Sequence, residues 1–230
     1  MPRGHTDPLL FFIPTPIGNR ADITLRALEV LREADLIACE DTRHSRPLLK
    51  HYEIDKPLVS LHEHNEIQRL PELIAKAKDG VRIAVISDAG MPLVSDPGYR
   101  LLQACIDEGV AYTVLPGPSA VITALAGSGL PSHAFSFDGF LPVKKGKRRK
   151  TLEAAIKSGK TAIFFESPHR ILSTLEILAD VCPDTLVCVA RELTKKFETY
   201  HRDTASSLFE YFKKHRAKGE IVLLVDGSGC

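Results

Sequence analysis

The chain has 230 residues, of which 44% are hydrophobic and 26% charged, and its formal net charge is +1. That length buries one sizeable core or two smaller ones, and near-neutrality excludes a uniformly basic, histone-like protein while leaving room for a local basic patch. No apolar run approaches the roughly 20 residues that span a bilayer. Met1-Pro-Arg-Gly-His5 lacks the charged-then-apolar layout of a secretory signal, and five cysteines, an odd number with no C-x-x-C pair, read as reduced thiols, so the cytoplasm is the expected location.

Leu9-Leu-Phe-Phe-Ile13 is a short apolar run closed by Pro14 and reads as a first buried strand. The loop Pro14-Thr-Pro16-Ile-Gly18-Asn19 follows, with two prolines fixing φ and a glycine permitting close backbone approach. Asp22 or Thr24 can cap the next helix, whose Leu25, Leu28 and Leu31 are expected on one face. Leu36-Ile-Ala-Cys39 is a second strand, ending in the polar run Glu40-Asp-Thr-Arg-His44. A short helical piece is expected at 48–52, a strand at 58–61 and an amphipathic helix at 70–78 ended by Gly80.

The strand at 81–87 runs into an acidic Gly- and Pro-rich turn, Ser87 to Gly98, where open α/β sheets hold ligands outside the carboxyl ends of their strands. A helix over 98–108 should turn Leu101, Leu102, Cys105 and Ile106 inward, and the strand at 112–115 leads to Pro116-Gly-Pro-Ser119. After a helix from 119 to 126 the alternation repeats: strand 135–137, helix 147–157, strand 161–165, helix 171–180, strand 186–190, an edge strand at 199–201, helix 208–215 and a last strand at 221–225. Nearly continuous apolar strands alternating with helices indicate parallel sheets covered on both faces. The expected fold class is therefore α/β, with two α/β domains, 1–116 and 117–230, jointed at the Pro116–Pro118 turn and holding a ligand in the cleft between them.

The dinucleotide, P-loop and nucleophile-elbow motifs are all missing. Asp88-Ala-Gly90 and Pro116-Gly-Pro-Ser119 instead offer backbone groups to an adenosine or amino-acid moiety, or are only tight turns. Glu40 to His44 is either a substrate-orienting strand end or a helix start capped by Asp41. His62-x-His64-x-Glu66 has metal-like spacing but no distal Cys or His pair completes it, so no metal is expected. Lys144, Lys145, Lys147, Arg148, Arg149 and Lys150 form the only strong charge run, a natural contact for nucleic-acid phosphates or an exposed helix start. Glu166-Ser-Pro-His-Arg170 and Arg191-Glu-Leu-Thr-Lys195 are two further polar strand ends.

These stretches, with Asp22-Ile-Thr-Leu-Arg-Ala27, Ser95-Asp-Pro-Gly98, Gly139-Phe-Leu-Pro142 and Lys218-Gly-Glu220, extend over nearly the whole chain. Together they resemble the class III, tetrapyrrole-methylase-like S-adenosylmethionine-dependent methyltransferases, and within them the small-subunit ribosomal RNA 2′-O-ribose cytidine branch. Pro14-Thr-Pro-Ile-Gly18 stands where porphyrin and corrin methylases carry a Gly-Pro-Gly-type loop, which favours the RNA branch.

The resemblance implies S-adenosylmethionine as cofactor, with Pro14, Asp88, Met91 and Val94 on one side of the donor. Ser119 and Ala120 would hold the adenosine or methionine part, and Phe165, Glu166, Leu193 and Ile221 would complete the pocket. Met91 replaces the Thr usual in the family motif, and larger relatives carry a helical C-terminal extension. For the transfer itself the candidates are Glu40, Asp41 and Glu166 as base or acceptor, with Arg43 and Lys195 holding phosphates. The implied partners are small-subunit ribosomal RNA or the 30S subunit, and a second copy in a homodimer. The alternatives are methylation of a tetrapyrrole-like small molecule, or a non-catalytic RNA-binding assembly factor.

Overall fold

The computed structural model describes residues 7–229. They form two compact units with the boundary between Ser119 and Ala120. The first unit holds strands β1 (Leu10–Ile13), β2 (Leu36–Cys39), β3 (Leu58–Ser60), β4 (Ile83–Ile86) and β5 (Tyr112–Val114). They make one sheet in the order β3-β2-β4-β1-β5, and every pairing is parallel. Strands buried on both faces must be apolar at every position, and β1 and β4 have all four residues buried. Phe11, Ile13, Ala84 and Ile86 enter a core with helix α1 (Leu25–Glu33) and Leu49 of α2 (Thr42–His51). Leu10, Phe12, Ile83 and Val85 enter another with α3 (Glu66–Lys78) and α4 (Tyr99–Asp107).

Local signals set the helix ends. The Thr24 hydroxyl accepts from Ala27 N and caps α1, and the Asp41 carboxylate accepts from Arg43 N and caps α2. Both α2 and α3 begin earlier than the periodicity suggests, because each runs through a proline at its sixth position, Pro47 and Pro71. Two expected inward residues face solvent. Leu25, at the first position of α1, is 79% exposed, and Ile106 of α4 is 52% exposed, while Ala27, Val30, Leu101 and Cys105 fill the cores.

The second unit departs from the expected parallel sheet. Its strands are β6 (Phe135–Phe140), β7 (Thr161–Glu166), β8 (Leu186–Arg191), β9 (Thr199–Thr204) and β10 (Ile221–Val225), in the order β6-β7-β10-β8-β9. Only β6 and β7 run parallel; β10 lies antiparallel between β7 and β8, and β9 is an antiparallel edge. The last strand thus pairs on both sides, and all five of its residues are buried. Helices α6 (Lys145–Ile156), α7 (Ile171–Val181) and α8 (Ala205–Lys214) share one core with the sheet face bearing Phe164, Val189 and Leu223. Helix α5 (Ala120–Ser128) packs on β8, β9 and β10.

Cys39, Cys105 and Cys188 are free and buried, as reduced thiols would be. Cys182 is buried as well, and Cys230 lies outside the described residues. Among the described residues no helix is long and apolar enough to cross a membrane.

One buried carboxylate ties α3 to α4. Glu66 is 5% exposed and its Oε1 accepts from the backbone N–H groups of Arg100 (2.9 Å) and Leu101 (3.2 Å), where α4 has no side-chain cap of its own. Replacing Glu66 by Ala leaves those donors without a partner in a dry place. The expected cost is about 1–3 kcal/mol in urea unfolding; a change below about 0.5 kcal/mol would show that water takes over the role.

Candidate active site

The central strands β1 and β4 send their chains to opposite faces of the first sheet, β1 to α1 and β4 to α4. That divergence is the topological switch point at which open α/β sheets bind ligands. The two loops leaving it are stitched together. Thr15 N donates to Gly90 O (3.0 Å) and Gly90 N donates to Thr15 O (2.9 Å). The Thr15 hydroxyl donates to Ser87 O (3.1 Å), and the Ser87 hydroxyl donates to Gly90 O (3.0 Å).

Gly90 sits at φ +82°, and a Cβ there would meet Ile17 at 3.3 Å and Pro118 O at 3.9 Å. A Cβ on Gly117 would lie 3.0 Å from Pro14. The loops after β1, β4 and β5 therefore close on one another through backbone. Leu93 and Ser95, both at positive φ, show how tightly the 87–98 loop is wound; backbone held in such a region marks ligand-binding turns when the surroundings enforce it.

The loop after β2 joins them, since Asp41 N donates to Asp88 Oδ1 (3.2 Å). The carboxylates gathered here titrate differently. Burial, with Asp88 and Glu63 nearby, raises Glu40 above the ordinary carboxylate value. Burial, then Glu40 and Asp88, push Asp96 up to about 7. Hydrogen bonds from the Arg43 side chain and backbone hold Asp41 down at about 2. Arg43 grips Asp41 with Nε (3.1 Å) and Nη2 (2.8 Å) while remaining 90% exposed. Asp41 is thus both helix cap and ion-pair partner and is held below the ordinary carboxylate range, whereas burial moves Glu40 and Asp96 above it.

Of the donor candidates in this unit, Pro14 is buried, Asp88 and Met91 are half-buried, Val94 is 40% exposed, and Ser119 is half-buried at the unit boundary. A donor with a positive sulfur and an α-ammonium group would suit the field of Glu40, Asp88 and Asp96.

In the second unit, Ala120 opens α5. The antiparallel β10 brings Ile221 beside both Glu166 and Arg191. Phe165 packs edge-on to Phe137 and Phe140, with ring centroids 4.8 and 5.3 Å away. Leu193 and Ile221 are 6% and 3% exposed. Glu166 is fully engaged as a structural carboxylate. It accepts from Arg170 Nη2 (2.6 Å), the Thr174 hydroxyl (2.8 Å) and Ser167 N (2.7 Å), so it is no free base. Lys195 bonds Glu192 (3.1 Å) and Glu220 (3.0 Å); burial opposes its charge, but these carboxylates outweigh it and hold the ammonium above its usual value. Its ammonium is therefore committed to two carboxylates rather than open to a phosphate.

The basic run divides. Arg148 is 5% exposed, donates to the Ser173 hydroxyl (3.0 Å) and is no surface contact. Arg149 pairs with Asp180 and Glu153, and Lys145 with Glu176. Lys144, Lys147 and Lys150 are exposed without ion pairs among the described residues. Among those residues no group of three His, Cys, Asp or Glu side chains is placed to hold a metal. The residue that sequence reasoning left out of the site is Asp96. Its place in the acidic turn was visible, but its proximity to Glu40, from another strand end, was not.

Asp96 yields a pH test. Its folded-state value lies above the ordinary 3.8, so between about 4 and 7 the folded chain holds a proton that the unfolded chain has lost. The stability it contributes is complete below the lower value and is lost as pH rises through the upper one. Asp96→Asn should therefore gain melting temperature relative to the parent as pH is raised from about 5 to about 8. A difference that stays constant over that range would remove the perturbed carboxyl.

The family model described as tetrapyrrole (corrin/porphyrin) methylases matches residues 9–208. A protein of Escherichia coli O157:H7 named ribosomal RNA small subunit methyltransferase I is 50% identical over 221 residues, covering 95% of this chain and 77% of that one. A relative of the same name from Thermotoga maritima is 45% identical over 218 residues, covering 95% and 98%. Among solved structures, a diphthine synthase superposes with a TM-score of 0.74 at 18% identity, covering 94% of this chain and 88% of that one. The methyltransferase CobJ does so at 0.68 and 22%, covering 95% and 94%. At those identities the likeness shows the fold. With the family model spanning most of the chain and relatives near half identity, the chain belongs to the tetrapyrrole (corrin/porphyrin) methylase family of S-adenosylmethionine-dependent methyltransferases.

Proposed function

We propose that this protein methylates the ribose 2′-hydroxyl of a cytidine in small-subunit (16S) ribosomal RNA. The observation that carries the reading is the cluster of Glu40, Asp88 and Asp96 on the switch-point loops, in a chain 45–50% identical to proteins named for small-subunit ribosomal RNA methylation. The substrate is the RNA or the 30S subunit, the working form a homodimer and the place of action the cytoplasm. The small-macrocycle alternative is not favoured, since the relatives at 45–50% identity are named for small-subunit ribosomal RNA.

When bound, S-adenosylmethionine supplies a methyl group already activated on a positively charged sulfur. The chain's own residues then position and deprotonate. A ribose hydroxyl is a poor acid, so an acceptor of raised basicity helps. Glu40, raised by burial and by Asp88, accepts the hydroxyl proton at its carboxylate, and Asp96 shares the same acidic field. Asp88 fixes the Asp41 backbone, and Asp41 fixes Arg43, whose exposed guanidinium meets a flanking phosphate. Lys144, Lys147 and Lys150 supply further phosphate contacts.

The test is transfer of labelled methyl from the donor to 30S subunits or 16S RNA, followed by nucleoside mass spectrometry. One 2′-O-methylcytidine per RNA is expected; label on a base, or none, defeats the assignment. Glu40→Gln should slow single-turnover transfer by about 10²–10⁴-fold with donor binding unchanged by calorimetry. Unchanged rates for both Glu40→Gln and Asp96→Asn would leave positioning as the whole of the protein's contribution.

A further inference from the structure

A groove of about 690 Å³ runs beside α2 and is lined by Arg43, Arg46, Lys50 and Lys56, with Glu53 and Asp55 in the turn after the helix. Arg43, Arg46 and Lys50 recur at intervals of three and four residues and so share one helix face. They extend over about 10 Å at 1.5 Å per residue. Arg46 and Lys50 are exposed and Lys56 is half-buried.

Among the described residues these three cations make no ion pair, whereas Lys145, Arg149 and Lys195 all do. Four cations against two carboxylates leave the lining with an excess of two positive charges. Ungrouped surface cations are ordinary; unpaired ones aligned along a concavity form an electrostatic track.

The track is continuous with the acidic site. Helix α2 starts directly after Glu40 and Asp41, and Arg43, bonded to Asp41, stands at the junction. A strand whose reacting ribose lies at Glu40 has its neighbouring phosphates at the start of α2, where the helix dipole also favours negative charge. We infer that this groove holds the phosphate backbone of the RNA strand flanking the methylated nucleotide, with Arg46, Lys50 and Lys56 as sequence-independent contacts. The inference rests on the RNA reading above and assigns the first unit a substrate surface apart from the Lys144–Lys150 run.

The triple variant Arg46→Ala, Lys50→Ala, Lys56→Ala tests it. Binding to 16S RNA and to 30S subunits is measured over a range of potassium chloride, with S-adenosylmethionine affinity and melting temperature as controls. RNA affinity should fall at least about tenfold near 0.1 M salt, and the slope of log K against log salt should shrink by about 2–3, one counterion release per lost contact. Donor affinity should not move. Lys50→Glu alone reads the same quantities should the triple variant fail to fold.

Unchanged RNA affinity and slope would overturn the inference while leaving the function intact. Loss of 30S binding with naked RNA unaffected would overturn it too, pointing to a ribosomal protein in the groove. A parent protein that binds no RNA and transfers no methyl to it brings down the functional reading itself, and does so before any variant is made.

Discussion

The pair of backbone hydrogen bonds between Thr15 and Gly90 is the constraint on which the active end of the first unit depends. It joins the loops of the two central strands at the point where their chains part toward opposite faces of the sheet. Without it, the loops after β1 and β4 would be independent, and each would need its own support. With it, Ser87, Gly90 and Thr15 form one closed network, and Gly117 packs on Pro14 beside it. Glycine at 90 is dictated twice, by its positive φ and by the approach of Ile17. The ledge is made of main chain, so its shape follows from strand pairing rather than from side-chain rotamers.

On that rigid base the two units treat charge in opposite ways. In the second, each of these strand-end carboxylates is answered by a cation: Glu166 by Arg170 and Glu192 by Lys195 within four residues, and Glu220 by the same Lys195 from another strand end. Such closed networks fix turns. In the first, only Asp41 is answered, by Arg43, and Glu40, Asp88 and Asp96 remain a net negative group partly removed from water. Unbalanced, half-buried charge is costly to keep, which is consistent with the proposed cationic methyl donor at this switch point.

Much of this was legible in the sequence because strands buried on both faces leave apolar runs and helix caps leave Thr24 and Asp41 as signatures. Pro47 and Pro71 hid the true starts of α2 and α3, since a proline reads as a boundary when taken locally. Leu25 and Ile106 fit the apolar period but fall at helix ends, where the face is no longer covered. The antiparallel course of β10 could not be read, because a buried central strand has the same apolar composition in either direction. Arg148 was grouped with its neighbours by charge, although its position on α6 turns it against Ser173 of α7. Glu40, Asp96 and Glu66 owe their roles in part to residues from other strand ends and helices (Asp88, Glu40 and Arg100 respectively), which no spacing rule reaches.

The placement of β10 also bears on how the chain is made. Strands β7 and β8 are complete long before β10 leaves the ribosome, yet they never pair with each other; each waits for the same missing neighbour. During synthesis the second unit therefore carries two open inner edges flanking a gap, and only the arrival of Ile221–Val225 closes the sheet in one step. The first unit, whose five strands precede Ser119, is free to fold while the rest is still being translated. The strand order thus allows the sheet of the first unit to be complete while that of the second still lacks the strand that joins β7 to β8.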